Sequence, residues 1–233
     1  PASWYGFKLQ FAAIVLFILI ILNMRGVKES VLPLVPIFLT FLITHAILII
    51  YTIVTHAANF GPMVNSTIAD VRSSSLELGT FGMIILILRA YSLGAGTYTG
   101  IEAVSNGMSI LREPKVETAK KTMRYMSVSL SILVVGLMLG YLFYNVKFEP
   151  GKTLNAVLLD SATSGWSQPW GYIFVLITLI SEAVLLFVAA QTGFLGGPRV
   201  LGNMAQDRWF PAQFANLSER FVTQNGILIM GLA

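Results

Sequence analysis

Apolar residues fall along this chain in long blocks separated by polar stretches. The first block covers residues 7–22 ("FKLQFAAIVLFILIIL"), and a polar turn at 23–30 ("NMRGVKES") follows it. The second runs over 31–55, with Pro33 and Pro36 in its first turns, where a missing amide donor costs least. Residues 56–79 are polar and read as a loop. A third block covers 80–108, a charged loop 111–125, a fourth block 126–146, a long loop 147–169 and a fifth block 170–197. Residues 198–220 read as an amphipathic interfacial stretch, and a sixth block starts near 224. Blocks of this length predict α-helices that cross a membrane. About 20 apolar residues span the hydrocarbon core, and a helix satisfies its own backbone where no water is present. The predicted fold class is all-α, an integral membrane protein with no soluble domain in residues 1–233. No repeat of 20–50 residues and no low-complexity tract interrupts the pattern.

Composition agrees. Of the 233 residues 55% are hydrophobic and 11% charged, and the mean hydropathy is +0.75. A soluble domain would carry about 25% charged residues. There is no cysteine, which excludes thiolate metal sites and leaves the redox compartment unread. Phosphate-binding Gly-Lys-Ser/Thr, His-Glu-x-x-His and catalytic-triad patterns are absent, so neither an enzyme nor an ATP-driven pump is expected. The chain opens on Pro1 with no signal peptide and closes at the start of an apolar run, "GILIMGLA". It is expected to be a piece of a longer membrane protein.

The net charge of +4 matters less than its distribution. Arg25, Lys28, Arg112, Lys115, Lys120, Lys121, Arg124, Arg199, Arg208 and Arg220 fall in one set of loops, and Lys8, Arg72, Lys147 and Lys152 in the other. Ten against four places the first set in the cytoplasm. The third block then runs from outside to inside. Asn65-Ser66-Thr67 matches a glycosylation acceptor on the outer side, a three-residue pattern that also recurs by chance. Trp4, Trp166, Trp170 and Trp209 fall at block ends, as interfacial anchors do. The basic loop "REPKVETAKK" is explained by orientation, so no nucleic-acid partner is expected.

The third block holds the least membrane-like sequence, "YSLGAGTYTGIEAVSNG" at 91–107. Each glycine in a helix interior costs about 1 kcal/mol relative to alanine, yet Gly94, Gly96 and Gly100 are interleaved here with Ser92, Thr97 and Thr99. Close helix packing through small residues accounts for Gly94 and Gly100, but not for Glu102. An acid at mid-depth costs about 2.5–3.5 kcal/mol on insertion scales. A paired or protonated structural carboxylate is one reading of it. The functional reading is a discontinuous helix whose unwound backbone lines a midplane cavity, as in secondary transporters. A monovalent cation needs oxygens that replace its water shell. Thr97, Tyr98, Thr99 and Glu102 offer them, with Gly96 and Gly100 completing the candidate binding segment. Thr99 and Glu102 are three apart and share a face wherever helix resumes. Glu102 is also the candidate for proton coupling.

This stretch, followed by "REPKVETAKKTM", resembles the sixth helix and the next cytoplasmic loop of the amino acid–polyamine–organocation (APC) superfamily. "LNMRGVKES" (22–30) looks like its turn between helices four and five. "AAQTGFLGGPRVLGNMAQDRWFPAQF" (189–214) looks like its eighth helix and the inner loop beyond. Within the superfamily the likeness is to KUP-type potassium importers, in the KimA branch. It implies a LeuT-like inverted-repeat fold, partial here, running from the end of the superfamily's helix 4 to the start of helix 9, with helix 6 discontinuous. It implies potassium–proton symport in the cell (plasma or inner) membrane, with the ion and the proton as transported species and no cofactor. The threonine and glutamate of the "TG-aliphatic-E-A" motif hold potassium in that branch, and the matching positions here are Thr99 and Glu102. The family's helix 1 and helix 3 site residues and its cytoplasmic C-terminal domain are absent from this stretch. The lipid bilayer and a small inorganic cation are the implied partners, together with a homodimer formed through regions outside these residues.

The alternative within the superfamily is an amino acid or polyamine permease. Such carriers put large aromatics in the unwound part, where this chain has Ser92, Gly94, Gly96 and Thr97 with Tyr98 the lone aromatic. A scaffold or sensor that keeps the fold without transport is a third reading, opposed by the retained Glu102. Three other intramembrane groups stand out. Glu182 reads as a water-facing or paired acid, and Arg89 as snorkelling, with pairing to Glu182 or Glu77 as its alternative. His45 reads as a hydrogen-bonded packing residue, with a proton relay as its alternative.

Overall fold

The computed structural model describes residues 6–26, 32–94, 104–105, 107–108, 111–218 and 223–232. Among them the helices are α1 (Lys8–Arg25), α2 (Val35–His56), α3 (Phe60–Gly94), α4 (Lys115–Phe143), α5 (Leu154–Thr163), α6 (Trp170–Gln206) and α7 (Gln224–Leu232). Short 3-10 turns at Leu32–Leu34, Ala57–Asn59 and Ala212–Phe214 lie between them. The chain is an all-α, multi-pass membrane segment. Lys8–Arg25, Val35–Gly94, Lys115–Phe143 and Trp170–Gln206 are each long and apolar enough to cross a bilayer. The second of these has 60 residues. At 1.5 Å per residue it would reach about 90 Å, three times the hydrocarbon core, so it must hold more than one crossing. Apolar side chains are exposed around these helices, for example Leu9, Phe17 and Ile50, as lipid-facing surfaces require.

Four stretches differ from the expectation. Residues 56–79 are helical rather than a loop: α3 begins at Phe60 and turns at Gly79, where φ is 66° and ψ 172°. Glycine reaches that φ without a Cβ clash. The hydroxyls and charges of 60–78 mask apolar positions that recur at helical spacing, Phe60, Val64, Ile68, Val71 and Leu78. Asn65 therefore sits within a helix. The charged residues 115–125 form the opening turns of α4. Lys, Glu and Ala are good helix formers, and Glu117 in the first turn complements the helix dipole. The loop 147–169 contains α5, capped by Thr153, whose hydroxyl accepts from Ala156 N–H at 3.1 Å. Finally, α6 continues through Pro198 to Gln206, a proline that packed membrane helices tolerate.

The chain divides into two compact units, residues 1–39, 102–120 and 181–233, and residues 40–101 and 121–180. In the first, Leu19, Phe194 and Ile227 form a buried cluster with Val15, Ile20, Met24 and Met230 against it. Its helices approach closely where a side chain is missing: a Cβ on Gly226 would stand 2.9 Å from Pro198 Cα. In the second, Leu48, Leu158, Leu159 and Ala162 are buried together, with Tyr141, Phe174 and Leu179 among the residues packed on them. There a Cβ on Gly136 would lie 2.7 Å from Ile49 Cγ2, which explains a glycine at that point of α4.

Candidate functional site

The candidate ligands Gly96, Thr97, Tyr98, Thr99, Gly100 and Glu102 all fall in 95–103, outside the described residues. So does the expected discontinuity of the superfamily's helix 6. The chain is helical up to Gly94 and again at Val104 and Ser105. Around Gly94 a Cβ would meet no described atom within 4 Å. Close packing against a described helix is therefore not what calls for glycine there.

In the first unit the structure joins two of the three sequence blocks that carry the family likeness. Asn23, near the end of α1, and Gln191, midway along α6, are both buried. The Asn23 amide Nδ2 donates to Gln191 Oε1 at 2.8 Å and to the Leu19 carbonyl at 2.8 Å. Gln191 Nε2 donates back to Asn23 Oδ1 at 2.7 Å. A reciprocal pair of this kind satisfies polar groups that lipid and packed side chains would otherwise leave bare. Both amide oxygens are engaged and neither group titrates, so the pair joins helices and offers no proton chemistry. Sequence reasoning passed over it. The signal was present as one amide in each quoted block, but 168 residues separate them.

In the second unit His45 is buried in α2. Its Nδ1 lies 2.9 Å from the Phe41 carbonyl and, facing an acceptor, donates to it. Its ring centroid is 4.0 Å from that of Phe41. Thr44 Oγ1 donates to the same carbonyl at 3.1 Å. These contacts fit the packing reading of His45. The buried face of α2 mixes Thr44, His45 and Thr52 with Leu48 and Ile49, and the Thr52 hydroxyl has no hydrogen-bond partner among the described residues. Arg89 is exposed on α3, as a snorkelling side chain is, and Glu182 is half-buried on α6. Trp166 stacks edge-on against Tyr51 at 5.2 Å and tilts against Phe174 at 5.0 Å, fixing the boundary between α5 and α6.

No cluster of three or more His, Cys, Asp or Glu that could hold a metal occurs among the described residues. Charge concentrates instead at the start of α5. Lys152 Nζ is 2.8 Å from Asp160 and 3.3 Å from Glu149. Those two carboxylates, Asp160 first, raise the Lys152 pKa above its ordinary value. All three side chains are about half exposed, so the cluster is a solvated surface feature.

A family model described as amino acid permease matches residues 2–232. Potassium transporter KimA of Bacillus subtilis (strain 168) is 27% identical over 231 residues, which cover 98% of this chain and 36% of that protein. The chain thus spans little more than a third of the length of the curated relative it matches.

Proposed function

We propose a carrier function from one premise: this chain belongs to the amino acid permease family. That is a family of membrane carriers rather than enzymes, and its LeuT-like fold is represented here in part. The full protein imports potassium ions across the cell membrane by secondary active transport, coupled to protons. This chain contributes the oxygen-rich segment around Glu102. The observation that carries the reading is the placing of Thr99 and Glu102, three residues apart, behind Gly94 and Gly96 in an otherwise apolar block. Small hydroxylic residues suit an ion stripped of its water shell better than an organic side chain. The likeness to a protein named a potassium transporter supports the same substrate.

Glu102 gives the coupling its chemistry. A carboxylate at mid-depth is costly unless it is protonated or faces a cation. A transported ion neutralises it in one state and a proton in the other, which is what symport through a shared acid requires. No resident cofactor is needed. The family's own description favours a second reading, an amino acid carrier built on the same frame.

Growth rescue of a potassium-uptake-deficient bacterium at low potassium, using the full-length protein, separates the two. Rescue is expected for the wild type. Glu102→Gln, present in the membrane at equal amount, should lower uptake by at least about tenfold, the effect of about 1.4 kcal/mol of lost interaction. Equal uptake by the glutamine variant with an unchanged pH dependence would make Glu102 a structural acid. No rescue together with saturable amino acid uptake would establish the second reading.

A further inference from the structure

The first half of α3, residues 60–78, has no part in the proposed transport site, and its geometry is unusual. Its start is tied to the ends of two crossings. His56 closes α2, and its ring lies 5.6 Å from that of Phe143, the last residue of α4. Phe60 in turn packs 6.5 Å from the same Phe143 ring. At its other end the helix turns at Gly79, and the apolar block from Thr80 follows at once. Asp70, Arg72, Glu77 and the serines at 73–75 make this stretch too costly to cross the hydrocarbon core, so both of its ends belong at one face of the bilayer. Nineteen residues (60 to 78 inclusive) make a rod about 28 Å long. A straight rod of that length with both ends at one membrane face has to run along the face.

Its side chains sort accordingly. At 100° per residue Phe60, Val64, Thr67, Ile68, Val71, Ser75 and Leu78 fall on one arc, and Ser66, Asp70, Ser73 and Glu77 fall largely on the other. Phe60, Ile68, Val71 and Leu78 are each 50–59% exposed. A recess of about 420 Å³ opens along the same helix beside Thr67, Ile68, Val71, Arg72, Ser75 and Leu76. Off that arc lie the exposed Leu76, the buried Met63, and Pro62 and Ala69.

We propose that residues 60–78 form an interfacial helix, seated on the lipid surface with the Phe60–Ile68–Val71–Leu78 face in the boundary between headgroups and acyl chains. The occupant of the exposed face is lipid because the helix is continuous, through Gly79, with a membrane-crossing segment and cannot leave the bilayer surface. Apolar area and tethering hold it there. With two acids, Asp70 and Glu77, against Arg72, it gains nothing from anionic headgroups. The Gly79 turn thereby joins a helix lying on the membrane to the block that carries Glu102.

Single cysteines placed at Val71 and Ser73, and at Ile68 and Ser66 as a second pair, test this in the full-length protein carrying no other cysteine. The protein is labelled with an environment-sensitive fluorophore and reconstituted in phosphatidylcholine vesicles. A nitroxide-bearing lipid should quench the labels at Val71→Cys and Ile68→Cys at least about twofold more than those at Ser73→Cys and Ser66→Cys, with aqueous iodide giving the reverse order. Equal iodide quenching at all four positions would show a helix standing in water. Protection of Val71→Cys and Ile68→Cys from both quenchers would show a face covered by protein. Either result overturns the proposal.

Discussion

The two compact units are held together by different means. In the unit containing α1 and α7, a buried amide pair, Asn23 with Gln191, and a close approach at Gly226 on Pro198 accompany a small cluster of Leu19, Phe194 and Ile227. In the unit containing most of α2 and α4, an aliphatic cluster dominates, with Leu158 and Leu159 of α5 fully buried. The difference follows from the solvent. Lipid tails are as apolar as leucine, so helices within the bilayer gain little by hiding apolar surface from one another. They associate through small residues and interhelical hydrogen bonds instead. Helix α5 has ten residues, too few to cross, and its Lys152–Asp160 side faces water. Removing its leucines from water is a hydrophobic gain of the ordinary kind.

The largest effect should come from that aliphatic cluster. Leu158→Ala is expected to cost about 2–5 kcal/mol, read as a lowered midpoint when the full-length protein in detergent micelles is titrated with denaturant. A loss below about 1 kcal/mol would mean that α5 is sunk in lipid, and the contrast between the units would disappear. A smaller effect is expected at the amide pair. Asn23→Leu strands the buried Gln191 amide and should cost about 1–3 kcal/mol, while adding Gln191→Leu should restore most of it. Strictly additive losses would show that the two amides are not coupled. The smallest effect concerns Lys152→Met. The pKa of Lys152 is raised by Asp160 and then Glu149, so any stabilisation is complete at neutral pH and fades only as pH climbs past 10.5 through the raised value. Because the group is exposed, salt and water screen it, and the midpoint at pH 7 should not move. A salt-sensitive drop there would assign the loop ions a structural weight comparable to the leucines.

Several elements were legible in the sequence. The apolar blocks at 7–22, 31–55 and 170–197 correspond to α1, α2 and most of α6, because hydrophobic length is a local property. The family likeness was legible too, since its three blocks lie in order along the chain and the family match covers residues 2–232. The helix at 60–78 was not. Its hydroxyls and charges resemble loop composition, and only the period of its apolar positions separates it from one. The charged start of α4 is hidden for the same reason, because polarity ends a membrane crossing without ending the helix. Of the site, the ligand segment was read from composition and motif alone. The contact of His45 with the Phe41 carbonyl, which fits one of its two readings, joins residues a turn apart and has no signature in composition.

The sequence by itself determined that this chain is helical and membrane-embedded, and it marked Glu102 as the costly residue. Each of these follows from the transfer energy of residues taken in short windows, where neighbours along the chain suffice. Only the tertiary structure decided that Asn23 finds Gln191 across 168 residues, that Leu158 and Leu159 are wholly enclosed, and that the chain turns at Gly79. Those outcomes depend on which surfaces meet, and a buried amide or leucine has no fixed energy until its partner is in place.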